Sequence, residues 1–260
     1  MTLRPTPRRT LEVDQLRVEV YVTRAEMGLA AAYDALAILE LVQYNGAVPR
    51  VIFAAAPSQN ELLGALCQGG RVDWPRVHAF HMDEYLGLPP DAPQSFGRFL
   101  RERLFEHLPF GSVQYLDAQT VDPAMECARY ADLLAAAPID LVCAGIGENG
   151  HMAFNDPAVA DFHDPALVKV VALDAVCRQQ QVNDGAFASL AQVPTHAMTL
   201  TMPALLAARR IVCVVPGPTK AAAVKAALTG PISTACPASA LRRHPQAVLY
   251  LDRASAAGIL

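Results

Sequence analysis

The chain has 260 residues, of which 53% are hydrophobic and 18% charged, and its formal net charge at pH 7 is −4. This composition is typical of a globular protein with a sizeable core; it excludes a disordered chain and gives no sign of a nucleic-acid-binding surface. Because no apolar stretch approaches the roughly 18 residues of a membrane helix, we expect no membrane partner and a cytoplasmic location.

Short β-rich runs alternate with alanine-rich helical stretches along the chain. The predicted strands are 17–22, 50–55, 77–82, 139–144, 167–173, 211–215 and 247–251. The predicted helices are 24–43, 58–67, 96–107, 124–136 and 219–228. Ser58 and Glu61 have the spacing of a capping box for the second helix. We therefore predict one α/β domain over residues 1–260, with a doubly wound, mainly parallel sheet and helices on both faces.

The six cysteines are scattered and form no C-x-x-C pair. Two of them, Cys143 and Cys213, lie inside apolar strand runs. This distribution predicts reduced, buried thiols, with neither a disulfide framework nor a metal site.

The strand at 139–144 runs into the sequence "GIGENGHMAFNDP". Its Gly145, Gly147 and Gly150 have the G-x-G-x-x-G spacing of a dinucleotide-binding turn. Such a turn must open a helix, because the helix N-terminus holds the pyrophosphate. Pro157 and Pro165 leave too little uninterrupted chain for that helix. We therefore do not expect a nicotinamide cofactor.

What remains is a polar loop at the carboxyl end of a central strand, where doubly wound sheets bind ligands. It carries Glu148, Asn149, His151, Asn155 and Asp156 within nine residues. A structural turn capped by Asn and Asp side chains is the alternative. The density of polar groups between glycines favours a functional site.

A second polar loop, Asp83-Glu84-Tyr85, follows the strand at 77–82. Paired carboxylates at a strand end can simply cap the next turn. Beside His151, however, a carboxylate provides the second member of an acid/base pair that can move a proton on a carbon skeleton.

Together, "FHMDEYLGLPPDAPQSF" and "GIGENGHMAFNDP" resemble the glucosamine-6-phosphate deaminase (isomerase) family. Weaker similarity continues through residues 193–228 and 236–252. The resemblance implies a modified Rossmann-like sheet that the family shares with 6-phosphogluconolactonases. The M-D-E-Y string is not expected in the lactonases, so its presence favours the deaminase. The resemblance also implies conversion of glucosamine 6-phosphate and water to fructose 6-phosphate and ammonia, with no cofactor.

The resemblance assigns catalytic roles to four residues. His151 would open the sugar ring, and Asp83 would carry the proton from carbon 2 to carbon 1. Asp156 matches a family Glu that assists the histidine. Asn149 stands where the best-known members have an Asp paired with the histidine; its oxygen can accept the imidazole N–H but supplies no charge.

For the phosphate, Lys220 matches the family's phosphate lysine. The glycine-rich turn of the family is replaced here by "AAAPSQNE", which leaves Ser58, Gln59 and backbone N–H groups as donors. Gly147 is a further candidate for substrate contact, and Arg178 is the nearest cation in "CRQQQV". A solvated Lys220, or an ion pair of Arg178 with Asp174, is the structural alternative.

Three functions stay open at this stage. The first is the deaminase acting on a small-molecule sugar phosphate. The second is a 6-phosphogluconolactonase or a deaminase of another amino-sugar phosphate, such as the galacto epimer. The third is a non-catalytic sugar-phosphate-binding regulator. Some family members are hexamers controlled by N-acetylglucosamine 6-phosphate, so a homo-oligomer is compatible with the sequence. We expect no such control, because only Lys169 matches in the corresponding stretch.

Overall fold

This computed structural model describes residues 3–183 and 185–260 of the chain. The strands are β1 (Arg9–Val13), β2 (Leu16–Tyr21), β3 (Arg50–Phe53), β4 (His78–His81), β5 (Asp83–Tyr85), β6 (Ser112–Gln114), β7 (Leu141–Ala144), β8 (Val168–Ala172), β9 (His196–Leu200), β10 (Ile211–Val215) and β11 (Ala247–Asp252). The helices are α1 (Arg24–Tyr44), α2 (Asn60–Leu66), α3 (Phe96–Leu100), α4 (Pro123–Ala135), α5 (Ala175–Asn183), α6 (Met202–Leu206) and α7 (Ala221–Thr229).

Eight strands form a large sheet in the order β1-β2-β11-β10-β7-β3-β4-β6. The pair β1–β2 is antiparallel and every other neighbouring pair is parallel. The predicted α/β class with a mainly parallel sheet is therefore confirmed. The sequence pattern did not predict β1 and β6, which lie at the two edges of this sheet and are largely exposed or half-buried.

Helices cover the large sheet on both faces, as predicted. Successive residues of β3 show how: Val51 and Phe53 pack with α1, α2 and α3, whereas Ile52 packs on the opposite side with α4, α6 and α7. Both faces of the central strands are thus buried. This double burial explains why these strands are apolar almost throughout instead of alternating.

The strand predicted at 167–173 does not join the large sheet, and in this respect the prediction was wrong. It forms β8 of a separate three-stranded antiparallel sheet, in the order β5-β9-β8. One side of this small sheet packs on the main core through Val168 and Met198, and the other has a core of its own around Tyr85 and Phe154.

The chain crosses from the large sheet to the small one at a single residue, Met82. Its N–H donates to Phe53 O (3.3 Å) in β3, and its carbonyl accepts from Leu200 N (2.8 Å) in β9. Consequently His81 ends a strand of the large sheet, while Asp83 begins a strand of the small one.

The predicted capping box at Ser58 and Glu61 was wrong. Residues Pro57–Gln59 form a 3₁₀ turn, and α2 begins after it without a side-chain cap. Glu61 instead pairs with Arg24, with 2.6 Å between Oε1 and Nε. The capping box observed in the structure is at the start of α1, where Thr23 and Glu26 bond each other's backbone N–H groups.

No helix in the described ranges is both long enough and apolar enough to cross a membrane. The six cysteines are free thiols; Cys67 is half-buried and the other five are buried. α3 continues into a π-helical turn, Arg101–Phe105, so the predicted helix at 96–107 is present with a change of winding.

Candidate active site

A cavity of about 530 Å³ lies over the carboxyl ends of four adjacent strands, β10, β7, β3 and β4. Since parallel strands end at the same edge, the segments that follow them meet there. The cavity is lined by six of the residues predicted from the sequence: Ser58, Gln59, Asp83, Gly147, His151 and Lys220.

The segment after β7, residues 145–157, is the histidine loop. No helix follows its glycines; the next regular element is β8, as the sequence predicted. Gly150 has φ +86° and faces Cys236, whose Sγ would lie 2.6 Å from an added Cβ. At Gly147, an added Cβ would lie 2.1 Å from Cε1 of His151. Both glycines therefore permit close packing of the loop, with the imidazole lying directly over Gly147.

Strand β9 supports both halves of the site. Thr199 lies opposite Asp83 in the β5–β9 ladder. The Thr199 hydroxyl also accepts a hydrogen bond from Phe154 N (3.1 Å), and Leu200 O accepts one from Asn155 Nδ2 (2.8 Å). One strand thus fixes the position of Asp83 and that of the histidine loop.

His151 is held through Nδ1. Asn149 Oδ1 lies 2.7 Å from this nitrogen, and Asp156 Oδ1 lies 3.0 Å from it. The Asn149 amide nitrogen donates to Asp156 Oδ1 at 2.7 Å, which orients the amide with its oxygen towards the ring. The network assigns the proton of neutral His151 to Nδ1 and leaves Nε2 for the cavity.

Asp156 is 1% exposed. Burial by itself would raise the pKa of its carboxyl group. The hydrogen bonds from His151 and Asn149, with the attraction of His151 and a smaller effect of the nearby Cys177 side chain, outweigh burial and lower the pKa of Asp156 below its ordinary value. Asp156 therefore places a negative charge beside His151, and Asn149 bonds to both side chains.

Asp83 is buried, and its pKa is raised well above its ordinary value, first by burial and then by the charge of Glu84. Once ionised, such a carboxylate is a stronger base than an exposed Asp.

Glu84, by contrast, faces α3. Its two oxygens accept hydrogen bonds from Ser95 Oγ (2.8 Å), Gly97 N (2.9 Å), Tyr85 N (3.0 Å) and Phe96 N (3.2 Å). Burial raises the pKa of Glu84, while these donors lower it. Its role in the structure is to anchor the start of α3.

The turn after β3 brings Ser58 and Gln59 to the cavity. Gln59 is fully buried and donates through Nε2 to Ala144 O (3.2 Å), while its Oε1 has no hydrogen-bond partner among the described residues. Lys220 ends the 3₁₀ turn Pro218–Lys220 after β10 and lines the same cavity. These groups provide hydrogen-bond donors and a positive charge to the lining of the pocket.

Arg178 does not line the cavity, which corrects its assignment as a phosphate ligand. Its guanidinium donates to Leu190 O (2.7 Å) and Val193 O (2.9 Å) and ties α5 to the following turn. Two other cations that were not predicted from the sequence, Arg24 and Arg103, do line the cavity. Both lie beside the 57–61 turn: Arg24 pairs with Glu61, and Arg103 Nε donates to Asn60 Oδ1 at 3.0 Å.

Helix α5 contributes two further lining residues that were missed, Gln180 and Gln181. Gln180 Oε1 accepts a hydrogen bond from Glu148 N (3.1 Å), which ties α5 to the histidine loop. Two glutamines of the sequence "CRQQQV" therefore line the cavity, whereas its arginine, the residue predicted from the sequence, does not.

His151, Asp156 and Cys177 offer ligand atoms that lie within 4.8 Å of one another. Imidazole, carboxylate and thiolate are ligands that zinc uses. In the structure the histidine and the aspartate of this group also bond each other and Asn149, an arrangement that orients an imidazole.

The chain is similar to known proteins in sequence and in fold. The model of the family "glucosamine-6-phosphate isomerases/6-phosphogluconolactonase" matches residues 23–250. The chain is 40% identical to the glucosamine-6-phosphate deaminase of Bacillus cytotoxicus over 183 residues, which are 70% of this chain and 68% of that protein. The corresponding protein of Bacillus thuringiensis strain Al Hakam is 39% identical over the same shares.

Among solved structures, a monomeric glucosamine-6-phosphate deaminase superposes with a TM-score of 0.84 at 28% identity, over 93% of this chain and 99% of that one. The 6-phosphogluconolactonase of Thermotoga maritima superposes with a TM-score of 0.72 at 20% identity, over 91% and 100%; at this identity it shares the fold alone. The chain belongs to the glucosamine-6-phosphate isomerase/6-phosphogluconolactonase family.

Proposed function

We propose that the protein is a glucosamine-6-phosphate deaminase, which converts glucosamine 6-phosphate and water to fructose 6-phosphate and ammonia. The observation that carries this proposal is that Asp83 and His151 line one cavity that is also lined by Arg24, Arg103 and Lys220. A proton-transfer pair beside cations is what an aldose–ketose isomerisation of a sugar phosphate requires. The relatives that are about 40% identical carry the same name.

His151 opens the ring in this mechanism. Its Nδ1–H donates to Asn149, so the Nε2 lone pair can accept the proton of the anomeric hydroxyl. As the bond between carbon 1 and the ring oxygen breaks, the same nitrogen gives that proton to the ring oxygen. The imidazolium formed in between is stabilised by Asp156, whose Oδ1 lies 3.0 Å from Nδ1.

Asp83 then moves the second proton. Its carboxylate removes the proton of carbon 2 and returns it to carbon 1, while a proton of the amino group moves to the oxygen of carbon 1, so that an imine is left at carbon 2 and a hydroxyl group at carbon 1. Water hydrolyses this imine, and ammonia leaves. The raised pKa of Asp83, caused by burial and by Glu84, makes the carboxylate a base strong enough to take a proton from carbon.

Lys220, Ser58 and Gln59 bind the phosphate in this proposal, and Arg24 and Arg103 add positive charge beside the same turn. The glycine-rich phosphate turn expected of the family is absent, and Arg178 is engaged elsewhere. Two arginines held at either side of the 57–61 turn therefore compensate for both differences.

The direct test is ammonia release on incubation of the purified protein with glucosamine 6-phosphate. Galactosamine 6-phosphate and 6-phosphogluconolactone are run in parallel. Ammonia from the first substrate alone supports the proposal. Hydrolysis of the lactone without ammonia assigns a lactonase, and binding of the sugar phosphates without any turnover assigns a regulator.

We also propose that the enzyme acts as a monomer in the cytoplasm. The solved relative with a TM-score of 0.84 is described as monomeric, which favours this state over the homo-oligomer that the sequence left open. Six free cysteines suit a reducing compartment. Light scattering on the purified protein measures the mass directly, and a mass of two or more chains would refute the monomer.

A further inference from the structure

Cys177 lies in the first turn of α5, close behind the histidine loop. Asp174 Oδ1 accepts a hydrogen bond from Cys177 N (2.7 Å), which fixes the start of this helix. The Cys177 side chain is 1% exposed and packs at the edge of the small-sheet core with Phe154. The thiol therefore has a defined position and does not face solvent.

The carboxylate of Asp156 has one oxygen that the histidine loop leaves unused. Asn149 and His151 both bond to Oδ1, whereas Oδ2 is buried and has no hydrogen-bond partner of ordinary geometry among the described residues. The sulfur of Cys177, a ring nitrogen of His151 and an Asp156 oxygen lie within 4.8 Å of one another. A thiol is a weak donor that can rotate its hydrogen towards such an oxygen.

We propose that Cys177 is a positioning residue: its thiol donates to Asp156 Oδ2 and holds the carboxylate in the orientation that keeps Oδ1 on Asn149 and His151. The effect on turnover rests on the proposed deaminase function. The contact itself does not, because it exists in the protein without substrate.

The surroundings keep the thiol in its donor form. Burial, and then the charge of Asp156, raise the pKa of Cys177 well above its ordinary value. The other ionisable groups that act on the thiol are Asp174, before α5, and Asp83, in β5; both carry negative charge when ionised and act in the same direction. Cys177 therefore stays protonated at physiological pH and can donate.

Loss of the thiol donor should shift the titration of His151 in a predictable direction. Without the S–H group, more of the negative charge of Asp156 remains on Oδ1, which faces His151. A more negative Oδ1 stabilises the imidazolium form of His151. The pH midpoint of the His151 titration should then move upwards.

The experiment follows the imidazole nitrogens of His151 by ¹⁵N NMR across a pH titration of the ligand-free protein. Cys177→Ala should raise the midpoint. Cys177→Ser should return it to the wild-type value or below, because a hydroxyl is a stronger donor than a thiol. Cys213→Ala is the matched control: it removes the same atom from a cysteine that is 0% exposed in β10, and it should leave the midpoint unchanged.

Equal midpoints in wild type, Cys177→Ala and Cys177→Ser would overturn the proposal, as would a shift in the same direction in both variants. If Cys177→Ala does not fold, Cys177→Ser decides alone, and a raised midpoint in that variant overturns the positioning role. Because no substrate is present, these outcomes are independent of whether the protein releases ammonia.

Where the deaminase activity is present, a rate measurement adds a second readout. Cys177→Ala should lower kcat roughly tenfold to 100-fold through misplacement of the carboxylate, with the acid limb of the pH–rate profile at higher pH. Cys177→Ser should recover most of this loss. A kcat loss in Cys177→Ala with an unmoved acid limb would mean that Cys177 only fills space.

Discussion

The side chains of Asn149 and Asp156 are joined by a hydrogen bond of 2.7 Å, in which the amide nitrogen donates to Oδ1. The same amide presents its oxygen to His151 Nδ1, also at 2.7 Å. An uncharged residue thus links a buried carboxylate to the imidazole of His151. The structure thereby gives a geometric reason why Asn can occupy the position of the family's Asp.

Asn149→Asp should move the acid limb of the pH–rate profile to higher pH. A second carboxylate beside His151 favours the imidazolium, and ring opening needs the neutral ring. The substitution also replaces the bond to Asp156 by repulsion between a half-buried and a buried carboxylate, so we expect the free energy of unfolding to fall by roughly 1–3 kcal/mol. A pH–rate profile and a urea titration measure the two effects.

Asn45→Asp is the control for this substitution, since it makes the same chemical change at the exposed end of α1. An unchanged acid limb in a folded and active Asn149→Asp variant would show that Asn149 acts only as a turn residue. Asp156 or Glu148 would then be the better candidate for holding His151.

Asp83→Asn should lower kcat by about 100-fold to 10,000-fold and leave the affinity for fructose 6-phosphate nearly unchanged. The same variant should be more stable than wild type once the pH rises above the ordinary pKa of an Asp, about 3.9, because ionisation of Asp83 in the unfolded chain then favours unfolding of the wild type. At about pH 4, where the wild-type carboxyl group is also neutral, the gain should disappear. Urea unfolding at about pH 4 and about pH 8 provides the comparison.

Glu84→Gln tests which of the two adjacent carboxylates, Asp83 or Glu84, acts as the base. Because Glu84 accepts three hydrogen bonds from the start of α3 and one from Tyr85 N, its amide variant should lose roughly 1–3 kcal/mol of stability and keep kcat within about threefold of wild type. A large kcat loss in Glu84→Gln together with near-normal turnover in Asp83→Asn would reverse the assignment of the base.

Gly147→Ala should lower kcat by about 100-fold or more. The added methyl group would lie 2.1 Å from His151 Cε1, so the imidazole must leave its position, and a displacement of about 1 Å at a reacting group has an effect of this size. Gly64→Ala, at an exposed helix position with no atom within 4 Å, is the control and should add about 0.5–1 kcal/mol of stability at unchanged kcat. Normal turnover in Gly147→Ala would contradict the observed packing of the ring.

Lys220→Ala should weaken fructose 6-phosphate binding by about tenfold to 100-fold while leaving the affinity for free fructose unchanged, since a charge-assisted bond contributes about 1.5–3 kcal/mol. Lys225→Ala, on the exposed face of α7, removes the same charge away from the cavity. Calorimetric titration of each variant measures both ligands. Equal losses with both sugars would show that Lys220 does not bind the phosphate group.

Most of the large sheet could be predicted because its central strands are buried on both faces and therefore appear as apolar runs. β5 and β9 could not be predicted in this way: β5 is three residues long and consists of Asp83, Glu84 and Tyr85. These polar residues predicted a functional site. Because they are not apolar, they gave no indication that the same three residues form a strand. The sheet to which β8 belongs could not be predicted either, because the sequence of a strand does not indicate which other strand it pairs with.

The site residues were predictable where they follow strand ends, as Asp83, His151 and Lys220 do. Arg24 and Arg103 were not, because they reach the cavity from the start of α1 and from the π-helical turn after α3, and only the packing of these helices brings them there. The prediction that Arg178 lies in the site was wrong for the opposite reason. It is close to the site in sequence, yet two backbone carbonyls bind its guanidinium elsewhere.

The support that β9 gives to both halves of the site has a consequence for how the enzyme loses activity. Asp83 is paired with Thr199, and the histidine loop is tied to Thr199 and Leu200. A local opening of the small sheet would release Asp83 and His151 at the same time, while the eight-stranded sheet can remain intact. Inactivation on heating should therefore precede global unfolding, with the amide hydrogens of β9 exchanging before those of β7 and β10.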